Sequence, residues 1–422
     1  MRTEFTPAQL TDPGLHEANS ILRKCVHCGF CNSTCPTFKL LGDELDGPRG
    51  RIYLLKNLME NDETPSGKIV SHIDRCLSCL SCMTTCPSSV NYMHLVDAGR
   101  SYIEKKFRRP LRDRLFRRLL AATLPYPARF RLLLFFSMLL LPVRRLLPAR
   151  FHGALKLRPP ATRNKLIKED RDQARTGKAV GLVAGCVQQV IGKDINSASI
   201  RLLERRGWRV YLLPEPACCG AVEHHLGKQA LAEKRFRQNI TDWIQHVDEH
   251  GLEALIVNAS GCGTMLKDYG HLFRHDESLA AAAGKISGMT RDIAEFLSEQ
   301  HGAAENGEMQ QVRVAYQSPC SMQHGQKIDS QPLTLLQQAG FKVQELPEKY
   351  MCCGSAGTYN ILQPAIAAEL GERKAVYIEQ ANVDVVASGN MACMMHLRQF
   401  TDVPFVHTAE LLDWASGGPK PF

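Results

Sequence analysis

The apolar positions change period along the chain, and each change marks a different kind of element. Residues 1–20 are a polar lead-in with a helix expected to begin near Pro13. Pro48–Glu60 (PRGRIYLLKNLME) has helical spacing, with proline at its start and Leu45, Ile52, Leu55 and Leu58 as its expected buried face. Leu132–Val143 is an almost unbroken apolar run closed by Pro142, too short for a membrane span, which takes about 20 residues. It predicts either a buried or subunit-facing helix, or an interfacial helix whose Arg129, Arg131, Arg144 and Arg145 meet lipid phosphates. The following LRPPATRNK reads as an exposed linker.

From residue 179 the pattern alternates between short apolar runs and longer helical ones, and it does so twice. Val180–Ala184, Trp208–Leu213 and Ala254–Asn258 are expected strands, with helices over Ala198–Arg206 and Lys228–His250. The second copy has strands over Val312–Tyr316, Phe341–Leu346 and Val383–Ala387, and helices over Leu333–Ala339 and Pro364–Gln380. Strands alternating with helices predict parallel sheets with loops at the strand ends. The fold class is therefore α/β overall: a mainly helical N-terminal domain at 1–99, a basic bridge at 100–178, and two tandem α/β repeats at 179–301 and 312–415.

Composition adds a local charge and a cysteine count. The 422 residues suggest two or three domains of about 150 residues each. The net charge is +9, yet Arg100–Arg150 alone carries +12, leaving −3 for the rest. Such a stretch implies a local partner, an acidic lipid surface or protein subunit. It lacks the interleaved aromatics that single-stranded nucleic acid stacks on, so no nucleic-acid partner is expected. Sixteen cysteines, with no apolar signal region over Met1–His16, point to a reducing, cytoplasmic setting where thiolates hold metals.

Eight of those cysteines form two copies of Cys-x2-Cys-x2-Cys-x3-Cys-Pro: Cys25, Cys28, Cys31 and Cys35 with Pro36, then Cys76, Cys79, Cys82 and Cys86 with Pro87. The spacing resembles the ligand run of two-cluster ferredoxins, in which the fourth cysteine serves the other cluster. The expected sets are Cys25, Cys28, Cys31 and Cys86 for one [4Fe-4S] cluster, and Cys76, Cys79, Cys82 and Cys35 for the other. A zinc site would not need the fourth Cys-Pro, and a disulfide framework belongs to small secreted chains.

The other eight cysteines fall into the two repeats. Cys186, Cys218, Cys219 and Cys262 in the first correspond to Cys320, Cys352, Cys353 and Cys393 in the second, with 32 positions from the first cysteine to the pair in both. Each set could bind metal, act as a redox thiol pair, or simply be buried. The repeated Cys-Cys-Gly argues against the last. A cluster of unusual shape is the favoured reading for at least one copy, with Gly220 and Gly354 letting backbone approach it closely.

The duplicated unit resembles the cysteine-rich CCG domain of heterodisulfide reductase and related subunits. That domain ends in CxxC, whereas here Cys262 is followed three positions on by Met265 and Cys393 by His396. His396 could stand in for the missing ligand. Over its length the chain is similar to the iron–sulfur subunits of bacterial glycolate oxidase, on CVHCGFCNSTCPTFKLLGDELDGPRGRIYL, DRCLSCLSCMTTCPSSV, ACCGAVEHHL, NASGCGTMLKDYG and CCGSAGTYN. The resemblance implies flavoprotein partner subunits that oxidise glycolate, and electrons passed on to membrane quinone from the cytoplasmic face of the inner membrane. Related lactate, glycerol-3-phosphate and heterodisulfide reductase-like complexes share the architecture. No dinucleotide fingerprint, nucleophile elbow or metallohydrolase motif is present, so no catalytic residue for substrate oxidation is expected in this chain.

Overall fold

Four longer helices, three of them capped by a side chain and one opened by proline, build most of the N-terminal part. Asp12 accepts a hydrogen bond from the Leu15 amide and starts Pro13–Lys24, Pro48 opens Pro48–Glu60, Ser66 caps Gly67–Asp74, and Asn91 caps Tyr92–Lys106. Leu22, Leu55, Ile73, Leu95, Val96 and Ile103 close the core between them. Ile52, Leu55 and Leu58 are buried as their spacing predicts, while Leu45 is half-buried in the turn Glu44–Asp46 ahead of the helix. A computed structural model describes residues 1–139, 177–215, 218–300 and 311–422.

Each repeat is a four-stranded parallel sheet. The first holds β1 (Ala179–Val183), β2 (Arg209–Leu212), β3 (Leu252–Val257) and β4 (Thr290–Asp292), in the order β2-β1-β3-β4. The second holds β5 (Arg313–Tyr316), β6 (Lys342–Glu345), β7 (Val385–Ser388) and β8 (Phe405–His407), in the matching order β6-β5-β7-β8. Registers match too: Val180 sits opposite Val210 and Ala254, as Val314 does opposite Val343 and Val385. β1 and β7 are buried along their whole length because helices cover both faces.

The repeats pack reciprocally. Helix Lys193–Arg205 of the first lies on Thr408–Ala415 of the second, and Ile293–Glu299 lies on Gln331–Gln338. One core runs through both, from Leu182, Leu202 and Ile256 to Val314, Tyr316 and Leu411. At its edge Arg201 and Arg205 converge on buried Asp413, Arg205 at 2.6 Å.

The N-terminal part straddles this pair. His271 meets Glu17 at 2.6 Å, His94 meets Asp268 at 2.8 Å and Lys228 meets Glu104 at 2.8 Å on the first repeat. On the second, Thr84 bonds His324 at 2.8 Å and the Tyr359 hydroxyl donates to the Arg75 carbonyl at 3.0 Å. A hairpin of helices Leu111–Thr123 and Pro127–Leu139 follows, its first helix tied by Arg117 to Asp74 at 2.8 Å, with Arg109 just before it held to the same aspartate at 2.6 Å. The apolar run from Leu132 is helical as far as Leu139. Within it Leu134 is buried while Leu132, Phe135 and Phe136 are exposed. Leu140–Val143, Arg144, Arg145 and the LRPPATRNK segment lie outside the described residues.

Candidate metal centres

Both N-terminal cysteine motifs wrap their backbones around a cavity. His27 and Gly29 in the first, and Ser78 and Leu80 in the second, take left-handed φ between +48° and +87°. Alternating left-handed residues turn successive amides inward, a concavity that favours the negative charge carried by sulfur ligands around a metal core, and three of the four are not glycine. Cys35 and Cys86 are both extended (φ −78°) ahead of their prolines, which carries each fourth cysteine away from its own motif.

The result is an exchange. One cavity, about 440 Å³, is lined by Cys25, Cys28, Cys31, Cys82 and Cys86. The other, about 310 Å³, is lined by Cys76, Cys79, Cys82 and Cys35. They share Cys82, Pro48 and Tyr92 and so abut. Cys28 is exposed, whereas Cys76, Cys79 and Cys82 are buried.

These donors suit a polynuclear cationic core. Burial pushes the Cys31 thiol up to about 12, and the Cys79 and Cys82 thiols well above their ordinary value, so thiolates here need a metal to neutralise them. Around the second cavity the Tyr92 hydroxyl donates to Cys76 Sγ at 3.8 Å. Arg51, wholly buried in its wall, donates to the His72 carbonyl at 2.7 Å and Thr37 Oγ1 at 3.0 Å, and pairs with Asp46 at 3.6 Å. Burial opposes the Arg51 charge, but neighbouring Cys76, Tyr92, Cys35 and Asp46 more than restore it.

In each repeat the four cysteines meet beyond the carboxyl ends of the strands, around the β1/β3 and β5/β7 switch points where α/β sheets build sites. Cys186 contacts Cys218 and Cys219 contacts Cys262. In the second repeat the contacts form a chain, Cys320 to Cys352 (3.7 Å between sulfurs), then Cys353, then Cys393. Among the described residues no three of these cysteines bring their sulfurs within 4.8 Å of one another. Gly220 and Gly354 have a packing role within the protein. Both are left-handed, and a Cβ would lie 2.4 Å from the Phe236 ring or 2.6 Å from the Ala367 carbonyl, so the close approach is to protein.

A buried cation faces each set. Arg235, paired with Glu223 at 2.9 Å, feels burial against it and the Cys218 thiolate for it, and stays above its ordinary value. Lys374 donates to the Glu348 carbonyl at 2.7 Å; burial pulls its pKa down although Cys353 and Cys352 pull it up. His396 is buried, its Nε2 donating to the Ala367 carbonyl at 2.9 Å, and its Nδ1 has no hydrogen-bond partner. That orphaned lone pair suits a ligand, and the ring is close enough to help lower the Cys353 pKa, after Cys352 and Cys393.

The repeats differ in what touches them. Cys79, on the second N-terminal cavity, packs in one apolar cluster with Leu77, Met351 and Cys352, with Cys320 against it. The cluster that holds Cys219 and Cys262 contains no N-terminal cysteine among the described residues. Sequence reasoning missed Arg51, Arg235 and Lys374. For Arg51 a signal existed: it lies four residues before Leu55, on the face of that helix that packs inward.

Residues 21–90 match the 4Fe-4S dicluster domain family, and residues 180–267 and 314–398 each match the Cysteine-rich domain family. The glycolate oxidase iron-sulfur subunit of Escherichia coli K12 is 38% identical, across 98% of this chain and 99% of that protein. The probable glycolate oxidase iron-sulfur subunit of Bacillus subtilis is 28% identical across 94% of both. Lactate utilization protein A of Oceanobacillus iheyensis is 28% identical across 56% of this chain and 96% of its own. A hypothetical protein from Helicobacter pylori shares the fold, with a TM-score of 0.56 at 10% identity over 97% of this chain and 73% of that one. With its dicluster match, its duplicated cysteine-rich units and its full-length likeness, this chain belongs to the family of glycolate oxidase iron–sulfur subunits, the electron-transfer components of an oxidoreductase complex.

Proposed function

We propose that this chain relays electrons from a flavin in partner subunits that oxidise glycolate toward a membrane quinone, from the cytoplasmic face of the inner membrane. Cys25, Cys28, Cys31 and Cys86 hold one [4Fe-4S] cluster, and Cys76, Cys79, Cys82 and Cys35 the other. Such clusters supply reversible one-electron transfer, which a flavin complements by splitting the electron pair of a 2-hydroxy acid. The observation that carries the reading is the arrangement in series: two abutting cavities, with Cys79 of the buried one packed on the cysteines of the second repeat. The first cavity, opening at exposed Cys28, is the side a donor reaches. The second repeat, with Cys320, Cys352, Cys353 and Cys393 assisted by His396, holds a further iron–sulfur centre and is the next station. The same role in the first repeat falls to Cys186, Cys218, Cys219 and Cys262.

Lactate as the complex's substrate is the second reading, favoured by the likeness to lactate utilization protein A; that likeness covers just over half of this chain. The test is iron and sulfide analysis with EPR on anaerobic protein. About eight irons belong to the N-terminal clusters, and any excess belongs to the repeats. Cys86→Ser abolishes the signal of the first cluster and Cys35→Ser that of the second; the opposite pattern refutes the exchange. Glycolate oxidation by the isolated chain, without a flavoprotein, refutes the relay.

A further inference from the structure

The helical hairpin over Leu111–Leu139 has two apolar faces. One is spent on the body: Leu120, Leu124, Phe130 and Leu134 pack against Val190, Ile191, Ile361 and Met391 of the repeats. The other faces outward. Leu111, Leu115 and Leu119 recur at i, i+4 and i+8 and are 72%, 69% and 43% exposed, and on the second helix Leu132, Phe135 and Phe136 are more than half exposed. Large side chains repeated at helical spacing on an outer face mark an interaction surface.

Charge tells which partner. Arg108, Arg112, Arg114, Arg118, Arg129 and Arg131 are exposed around these apolar residues. The acids of the segment are already engaged, Asp113 with Arg117 at 3.2 Å and Glu104 with Lys228 at 2.8 Å. Among the described residues none of the six arginines forms an ion pair, although Arg129 lies over the Tyr126 ring. Aliphatic and aromatic side chains interspersed with unpaired arginines match the boundary of an anionic bilayer, where apolar groups enter the acyl region and guanidinium groups meet phosphate. Among the described residues no helix is long and apolar enough to cross a membrane, so such an attachment lies in the interface plane.

We propose that this hairpin docks the protein on an anionic lipid surface, with Leu111, Leu115, Leu119, Leu132, Phe135 and Phe136 inserted and the six arginines on headgroup phosphates. The inference rests on the reading that electrons leave toward the membrane, and it gives that reading a surface. It is tested by flotation of the cluster-loaded protein with vesicles of phosphatidylcholine alone or with phosphatidylglycerol. Binding is expected to the anionic vesicles and to weaken with salt. Leu115→Asn with Phe135→Asn and Phe136→Asn lowers the partition coefficient at least tenfold, and so does Arg112→Gln with Arg114→Gln and Arg118→Gln. Iron content and co-purification with flavoprotein stay unchanged in both. Equal binding by either variant, or no binding by the native protein, overturns the proposal. So does loss of the flavoprotein with vesicle binding retained, which makes this face a protein interface. Reduction of a water-soluble dye by the complex with glycolate reports the relay separately, so its failure is not mistaken for failure of docking.

Discussion

Replacing Arg51 with methionine removes a full positive charge from the wall of the second N-terminal cavity while keeping most of the side-chain volume. A guanidinium in the cavity wall is taken to stand roughly 7 Å from a charge held within it. At an effective dielectric constant of about 20, one charge at that distance is worth about 2.4 kcal/mol to each added electron. One electron at about 59 mV per tenfold converts this to a potential lowered by about 100 mV. Loss of Arg51 does not free Asp46, which keeps Arg75 at 2.8 Å and His72 at 3.0 Å, so the change stays largely that of the one cation. Arg51→Lys serves as the control: it retains the charge but not the fork joining the His72 carbonyl to Thr37, and its shift stays within about 30 mV. EPR-monitored redox titration of anaerobic protein measures both, on preparations of matched iron content. A methionine variant with full iron and a potential within about 20 mV of native would refute the argument, because the buried charge would then be screened as in water.

Three further outcomes follow from the same geometry. Gly354→Ala puts a Cβ 2.6 Å from the Ala367 carbonyl at φ +95°, and lowers stability by at least about 2 kcal/mol, read as a fall in melting temperature; Gly357→Ala, at φ +64° with open space around it, costs about 1 kcal/mol. His94, opposed by burial but held by Asp268 and Glu17 at about 9 against an ordinary 6.5, stabilises the joint between the N-terminal part and the first repeat; that contribution is complete below pH 6.5 and is lost as pH rises through about 9. Glu17, depressed by His271 and His94 despite its burial, contributes above pH 4.5 and loses its contribution on acidification. Thermal unfolding between pH 6.5 and 9.5 shows the decline, and an unchanged slope in His94→Gln rules out this cause. His396→Phe fills the same space without Nδ1 and lowers iron in the second repeat alone; native iron content in that variant assigns the histidine a purely structural role.

The elements most legible in the sequence are those with hard punctuation. Pro48–Glu60 and Pro364–Gln380 run between the bounds expected of them because proline starts each. β1, and β3 from Ala254 onward, stand out as unbroken apolar runs, as strands covered on both faces do. β4 and β8 went unread because three residues, Thr-Arg-Asp or Phe-Val-His, carry no period. Yet each leads directly into a capping box, Asp292 with Glu295 and His407 with Glu410, so IAEFL and TAELL were a visible sign of the repeat's end. Helix Lys193–Arg205 begins five residues ahead of its expected start because its first turns bury polar side chains: Asn196 and Ser199 bond Asn258, and no apolar pattern records this. The cysteine spacing gave the exchange between cavities, since proline after the fourth cysteine sets its direction. The cations facing the cysteines come from distant helices, and only tertiary packing brings them there.

The interleaving of the two cavities also bears on how the chain holds together. Cys35 reaches the wall shared with Cys76, Cys79 and Cys82, and Cys86 reaches back to Cys25, Cys28 and Cys31, so an occupied pair of sites cross-links the chain twice in nested loops. Closing the span from Cys35 to Cys82 removes about 4 kcal/mol of unfolded-state entropy on the cross-link scale. Each loop shortens the free chain that the other must close, so metal insertion at either site favours the folding of the helices between the motifs.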